Sequence, residues 1–500
     1  MVDVFISKGN STFIQVNSNE PSIIADISDH FSFEIPNKLF NPAVKYGNWD
    51  GVIHLFNTSR NTLYLGLAKE LINFLKTKGY SYKIDDDLVS SDNYSSADIL
   101  KLIQKNMVLS TDGVKISPYD YQLDAVTYMI NNNRSIVLAA TSAGKSLILY
   151  LTIRLYQLQE EMKGKKIIII VPSSGLVEQM YNDFCDYSEL DPNWDVSEQC
   201  QKISGKYKKD LISNVIITTW QSAKNIPTET INFEAGAVFV DECHGCRGEV
   251  LKTILEGLTD VSVRHGLTGT LDNIVSNEFL IQGLLGPAKR IVKAIDLMKN
   301  GAASKIDIHV LMLEYPDEIK KELQLLKDEC EQGTEKYRLE MDFLSICDER
   351  NKVIKNITEA YDGNSLILYN NLLHGESIAN CLNNVLTING EVKIDEREDI
   401  RQQIESENGV NLVASYGTCS TGISIKKLHN LILASPSKSI VRVLQSVGRM
   451  MRKHSSKERG YVIDIVDVLG DNCYCVKHAL ERIKYYRNEQ FNIRYINIKL

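Results

Sequence analysis

Three consecutive segments constrain this chain more than any others: the run 135–138, the octet Ala139-Ala140-Thr141-Ser142-Ala143-Gly144-Lys145-Ser146, and the apolar stretch 147–156. A short β-branched run, a loop of small residues and a long helix-forming run specify strand, tight turn and helix, in that order. Parallel neighbours reached by helical crossovers are the usual way to bury such a unit. Gly-Lys-Ser at the turn adds chemistry. Backbone N–H groups of a small-residue loop converge on an anion, and the helix N-terminus adds partial positive charge. Lys145 would reach the β/γ-phosphates of a nucleotide, and the Ser146 hydroxyl would bind Mg²⁺. Ala139 stands where the phosphate-loop pattern has its first glycine.

From 118 onward, strand-like and helix-like stretches alternate. Buried-strand candidates fall at 135–138, 167–171, 214–218 and 237–240, and in a second series at 365–369, 410–414, 431–434 and 461–466. That alternation predicts two parallel-sheet α/β domains, 118–300 and 301–472. Upstream, 1–88 reads as a small α+β domain with short alternating strands and a helix at 67–78, followed by a linker and short helix at 89–117. The chain ends, over 473–500, in an amphipathic helix and a β-like tail. In the first domain, 40–51 interleaves Phe40, Tyr46 and Trp49 with Lys, Asn, Gly and Pro. Two readings stay open there: the aromatics plug a small core, or they face nucleic acid.

Composition bounds the function. Five hundred residues require more than one core, and 43% apolar with 24% charged residues is the balance of a globular protein. A net charge of −8 argues against a coat of nucleic acid while allowing a local basic groove. No apolar run is long enough to span a bilayer, and the amino terminus lacks the basic and apolar regions of a signal peptide. The ten cysteines are therefore expected to be reduced thiols. Cys243/Cys246 and Cys473/Cys475 are close pairs, but a zinc site needs four ligands at short spacings and Cys243 lies inside a motif with another explanation, so zinc is not expected.

The second strong signal is an apolar run, 237–240, ending in Asp241-Glu242-Cys243-His244. A carboxylate at a strand end beside a phosphate loop can hold Mg²⁺, and its neighbour can polarise an attacking water. Those roles fall to Asp241 and Glu242. Far downstream, Gln445-Ser-Val-Gly448-Arg449-Met-Met-Arg452 offers the guanidinium groups that phosphoryl transfer uses to stabilise charge on the moving phosphoryl.

In this order the motifs resemble those of superfamily 2 helicases. Asp241-Glu242-Cys243-His244 is similar to the Asp-Glu-x-His box, and Pro118-Tyr-Asp-Tyr-Gln122 to the Q motif, which implies that Gln122 reads adenine. Val171-Pro172-Ser173-Ser174, Thr218-Thr219-Trp220-Gln221-Ser222, Gly266-Leu-Thr-Gly-Thr270, 371–375, 415–424 and 445–452 resemble the remaining motifs in sequence order. The resemblance implies two tandem RecA-like domains that close on ATP and Mg²⁺. Its catalytic set is Lys145, Asp241, Glu242, Gln445, Arg449 and Arg452. The nucleotide would be held by Gln122, Thr141, Ser142, Ala143, Gly144, Lys145, Ser146 and Gly422, and the metal by Ser146 and Asp241. Nucleic-acid contacts fall to Pro172, Ser173, Ser174, Thr219, Trp220, Gln221, Thr418 and Trp49, with lysine runs at 206–209 and 452–457 as supporting charge.

Over nearly the whole chain, Phe40-Asn-Pro, Tyr46-Gly-Asn-Trp-Asp-Gly51, Thr141–Ser146, 414–417 and Arg452-Lys-His454 resemble the UvsW helicases of T-even phages. That family implies a monomeric, DNA-stimulated ATPase in the host cytoplasm, without a membrane. It acts on branched duplex DNA with single-stranded tracts and on RNA–DNA hybrids, in recombination, repair and replication. Two other readings fit parts of the sequence. One is a translocating subunit of a restriction nuclease, for which Pro316-Asp-Glu-Ile-Lys320 has the residue types of a nuclease site. The other is a nucleic-acid-binding module switched by ATP.

Overall fold

The computed structural model describes residues 2–35, 38–85, 88, 93–205, 210–271, 274–392, 394–420, 425–437, 439–452, 454–470 and 473–500, apart from the side chains of 394, 395, 419, 420, 440–442, 444 and 445. The lysine run 206–209, Gly422 with the rest of 421–424, the Gln445 side chain and half of the acidic stretch 85–96 lie outside the described residues. Contacts divide the chain into two compact units. One is Met1–Ala139 with Gly144–Ile291, and the other is Ala140–Ala143 with Val292–Leu500. No helix among the described residues is long and apolar enough to cross a membrane.

The first unit holds two large sheets and two two-stranded ones, Ser32–Glu34 with Val52–His54 and Ser110–Thr111 with Val114–Lys115. A five-stranded sheet runs Phe56–Asn57, Thr62–Tyr64, Phe13–Asn17, Val4–Lys8, Tyr82–Ile84, antiparallel except for the last pair. Helices Pro21–His30 and Ala68–Lys78 accompany it, giving the expected α+β pattern. A capping box of Ser95 and Asp98 starts the next helix, Ser96–Asn106. The seven-stranded sheet follows in the order Cys200–Ile203, Val215–Thr219, Lys166–Val171, Ala235–Asp241, Val263–Thr268, Arg134–Ala139, Ala288–Val292. Neighbours among its first six strands pair in parallel. Ile167 to Val171 are all buried, as a parallel strand covered on both faces requires.

One hydrophobic cluster runs through both large sheets, from Val4, Ile6, Leu63 and Leu71 to Ile168, Val238 and Leu284. Two buried arginines, register partners in adjacent strands, reinforce it. Arg264 donates to Thr12 Oγ1 at 2.8 Å and to the Leu255 carbonyl at 2.8 Å, and Arg134 donates to the Ser11 and Leu284 carbonyls. Their charges are taken up by backbone dipoles instead of carboxylates. Loop 40–51 is resolved against the core-plug reading: Phe40 is 85% exposed, Tyr46 is 75% exposed, and the Trp49 indole donates to the Val52 carbonyl.

The second unit carries an all-parallel sheet in the order Val385–Ile388, Asn411–Ser415, Ser365–Tyr369, Asn430–Leu433, Arg459–Val468, Lys305–Glu314, Asn492–Lys499. The charged segment after Lys305–Glu314 is helical, as Asp317–Asp328 and Gly333–Ile346. Two buried ion pairs anchor helices to the strand Arg459–Val468. Arg350 grips Asp467 at 2.7 and 3.0 Å, and Arg482 grips Asp464 at 2.7 and 2.9 Å, with the Tyr486 hydroxyl donating to Asp464. Each carboxylate is matched by a planar donor fork.

Candidate nucleotide site

The first seven-stranded sheet ends three strands at one place, and the chemistry collects there. After Arg134–Ala139 the chain turns through Ser142 at φ +70° and Gly144 at φ +73° before the helix Lys145–Tyr156 begins. Left-handed residues alternating with ordinary ones turn backbone N–H groups to one side, the geometry of an anion nest. Gly144 is required twice over: its φ is left-handed, and a Cβ would meet the Gln122 side-chain nitrogen at 2.5 Å. Gln122 is therefore beside the loop. Its oxygen accepts from the Tyr119 N–H at 3.0 Å, which fixes the amide. Ala140–Ala143 groups with the second unit, where the Ser142 hydroxyl donates to the Gly448 carbonyl at 2.7 Å.

The strand Ala235–Asp241 delivers both carboxylates. Glu242 sits at φ +50°, a left-handed conformation for a non-glycine residue, which turns its side chain back over the strand ends. Its carboxylate meets Lys145 Nζ at 3.7 Å, His244 Nδ1 at 3.2 Å and the Thr268 hydroxyl at 3.2 Å. His244 Nδ1 also lies 3.0 Å from Thr268 Oγ1, closing a triangle. Thr268 ends the neighbouring strand Val263–Thr268, within the third-motif stretch.

The two carboxyls are driven apart. Burial raises the Asp241 pKa and the adjacent Glu242 charge raises it further. Burial also works upward on Glu242, but the Lys145 charge and the hydrogen bonds from His244 and Thr268 outweigh it and hold that carboxyl well below the usual range. Asp241 Oδ1 accepts the Glu242 N–H at 3.0 Å. Ser146 Oγ lies 2.8 Å from the Tyr187 hydroxyl on the helix Ser174–Ser188, and the Tyr187 ring packs on Tyr150. Nothing in the sequence marks Tyr187, because its role depends on how two helices pack. His244 and Thr268 lie within motifs that the sequence does show, without roles that it could assign.

In the second unit, Arg449 is buried in the helix Ile440–Met450, and Arg452 lies in the turn that follows. Lys457, in the basic run 452–457, is buried: its ammonium donates to the Met450 carbonyl at the end of that helix, at 2.7 Å.

The nucleic-acid candidates are local caps and turns. Ser173 caps Ser174–Ser188 by accepting from the Leu176 N–H, with Pro172 before it and Ser174 exposed. Thr219 caps Trp220–Ala223 through the Ser222 N–H, and Gln221 is exposed. The Trp220 ring packs on Gly245, whose Cβ would meet it at 2.9 Å. Thr418 is buried, with its hydroxyl 2.8 Å from Ser415 Oγ. The nuclease-like residues do not assemble: Asp317 and Lys320 form a surface pair along one helix, with Asp317 81% exposed.

The family model described as the N-terminal part of DNA helicase UvsW matches residues 5–85, and that described as the Type III restriction enzyme res subunit matches 115–273. The chain is 33% identical over 499 residues, 95% of each chain, to the ATP-dependent DNA helicase uvsW of Enterobacteria phage T4. The crystal structure of T4 UvsW aligns over all of both chains with a TM-score of 0.53 at 30% identity. A Type ISP restriction-modification enzyme bound to DNA aligns at 14% identity with a TM-score of 0.56, over 85% of this chain and 34% of that one, which shows a shared fold. The chain belongs to the UvsW family of superfamily 2 helicases.

Proposed function

We propose that this chain hydrolyses ATP to move on and separate branched nucleic acid: stalled forks, Holliday junctions and R-loops. The observation that carries the reading is the Glu242 carboxylate held in place by Lys145, His244 and Thr268 at the mouth of a left-handed phosphate loop. It is supported by 33% identity to a phage DNA helicase along nearly the whole chain.

In the proposed cycle the loop N–H groups and Lys145 bind the phosphates. Lys145 exchanges Glu242 for phosphate oxygens, and Glu242 is freed to accept the proton of the attacking water. His244 and Thr268 keep that carboxylate aimed while the lysine is engaged. Ser146 and Asp241 supply hard oxygen donors of the kind Mg²⁺ takes, and so fit the ion. When bound, Mg²⁺ would neutralise charge on the β- and γ-phosphate oxygens. A divalent ion would oppose the burial and the Glu242 charge that raise the Asp241 pKa, and would favour its charged form. Gln122, beside the loop, reads the adenine edge in this scheme, and Arg449 and Arg452 are assigned to charge on the γ-phosphoryl.

The test is a matched panel of forks, four-way junctions, R-loops and linear duplexes, with ATPase rate and strand separation measured at fixed salt. Branched substrates should stimulate both. A rate indifferent to DNA would overturn the helicase reading, and hydrolysis stimulated equally by linear duplex would overturn the branched-substrate assignment. Lys145→Ala should abolish turnover in every arm.

A further inference from the structure

Away from the nucleotide site, the second unit buries a group of soft and hard ligands around one carboxylate. Glu340, on the helix Gly333–Ile346, is fully buried, and its Oε1 pairs with the buried Lys327 ammonium. Its Oε2 faces two thiols: Cys473 Sγ and Cys475 Sγ each lie 3.6 Å from it. Both cysteines are 1% exposed, and the three donor atoms lie within 4.8 Å of one another. The Tyr474 N–H donates to both Glu340 oxygens, at 2.9 and 3.2 Å, which fixes the carboxylate between its neighbours. The Asp467 carbonyl oxygen is 3.3 Å from Cys473 Sγ.

We propose that Cys473, Cys475 and Glu340 bind one structural Zn²⁺, with the Asp467 carbonyl oxygen completing a four-donor set. The two sulfur–oxygen separations of 3.6 Å around Glu340 Oε2 are those of a zinc polyhedron. Zinc bonds of about 2.3 Å to sulfur and about 2.1 Å to oxygen, at tetrahedral angles, place S and O about 3.6 Å apart. The donor types are those zinc takes, with two thiolates setting the preference over Mg²⁺ or Ca²⁺. The charge balances as well. Glu340 and Lys327 already cancel, and the exchange is Zn²⁺ + 2 RSH → Zn(SR)₂ + 2 H⁺, so the buried cluster is neutral before and after. Unpaired buried charge is what such a cluster must avoid. Lys327 stays on Oε1 and leaves Oε2 to the metal. The site would tie the helices Gly333–Ile346 and Tyr474–Asn488 to the end of the strand Arg459–Val468.

The full chain, expressed in zinc-supplemented cells and purified without chelator, is assayed by inductively coupled plasma mass spectrometry. About one zinc per chain is expected. The cobalt-substituted protein should show thiolate-to-metal charge transfer with tetrahedral d–d bands. Cys473→Ser/Cys475→Ser should lose both signals, while Cys243→Ser/Cys246→Ser should keep them. Removing zinc with a chelator should lower the wild-type melting temperature. Metal-free wild type after zinc supplementation overturns the proposal, as does zinc that follows the Cys243/Cys246 pair. If the Cys473/Cys475 variant fails to fold, the wild-type cobalt spectrum decides alone, and a spectrum without thiolate bands refutes the site.

Discussion

Glu242 does two jobs whose demands oppose one another. As a partner of Lys145, His244 and Thr268 it is held well into its charged form, which keeps it a weak base. As a general base it needs proton affinity when water attacks. Departure of Lys145 to the phosphates removes the strongest influence favouring the anion, so nucleotide binding itself raises the basicity of Glu242. Glu242→Gln should therefore retain nucleotide binding and lose turnover by about 10² or more, which single-turnover hydrolysis beside a fluorescent-nucleotide titration measures. Tyr187 is a positioning residue on the same scale. If the Ser146 hydroxyl donates its proton to Tyr187 across 2.8 Å, its lone pairs are left for a cation. Tyr187→Phe should raise the Mg²⁺ concentration needed for tight nucleotide binding by roughly tenfold, in line with the loss of an outer-shell partner. Nucleotide affinity measured in EDTA should not change, and an identical Mg²⁺ dependence in the variant would remove Tyr187 from this role.

At the scale of elements, buried charge does much of the anchoring. Arg482→Leu leaves Asp464 buried with only the Tyr486 hydroxyl for compensation. The loss should be about 3–5 kcal/mol, read as a lower denaturation midpoint of the second unit. Lys457 carries a pH signature. Burial, with the Arg452 charge, lowers its pKa to about 8. A depressed lysine means the unfolded chain binds more protons between that value and the unfolded pKa, so wild-type stability gains as pH rises through that window. The stability of wild type relative to Lys457→Met should increase from pH 7 to pH 10, and a flat difference would show that Lys457 is not depressed. These anchors explain what the sequence does and does not reveal. Ser365–Tyr369 and Lys166–Val171 are legible as strands because they are apolar runs between turns. Val263–Thr268 is not, because Arg264 and His265 interrupt it. Arg264 is tolerated through nearby carbonyls and the distant Thr12 hydroxyl, and His265 through the distant Ser135 and Tyr156 hydroxyls. Lys305–Glu314 hides in the same way behind Asp307 and His309. The nucleotide site divides likewise. Lys145, Asp241 and Glu242 carry motif spacing, whereas Tyr187 acquires its meaning from helix packing.

At the scale of the whole molecule, the first unit joins what the sequence presents as separate segments, and backbone contact is the means. Gly66 follows the strand Thr62–Tyr64 of the small sheet, and a Cβ there would sit 2.0 Å from the Gln282 carbonyl oxygen and 2.6 Å from that of Gly283. The approach is reciprocal: a Cβ at Gly283 would strike the Tyr64 side chain at 2.9 Å. Neither obstacle at Gly66 is a flexible side-chain end, so the helix Val275–Leu285 must retreat before anything larger fits. Retreat would loosen the shared apolar cluster and the Arg264–Thr12 bond together. Gly66→Ala should then cost at least the upper end of the roughly 1–3 kcal/mol typical of overpacking. The same methyl at Gly390, where no atom lies within 4 Å, should change stability by less than about 0.5 kcal/mol. Thermal unfolding of the two variants gives the comparison, and limited proteolysis locates the damage. Cleavage should begin in the first 85 residues of Gly66→Ala while the second unit stays protected. Equal melting temperatures for Gly66→Ala and Gly390→Ala would show that the small sheet rests on its neighbour too loosely to feel a methyl group, and that the five-stranded and seven-stranded sheets of the first unit are joined by their side chains alone.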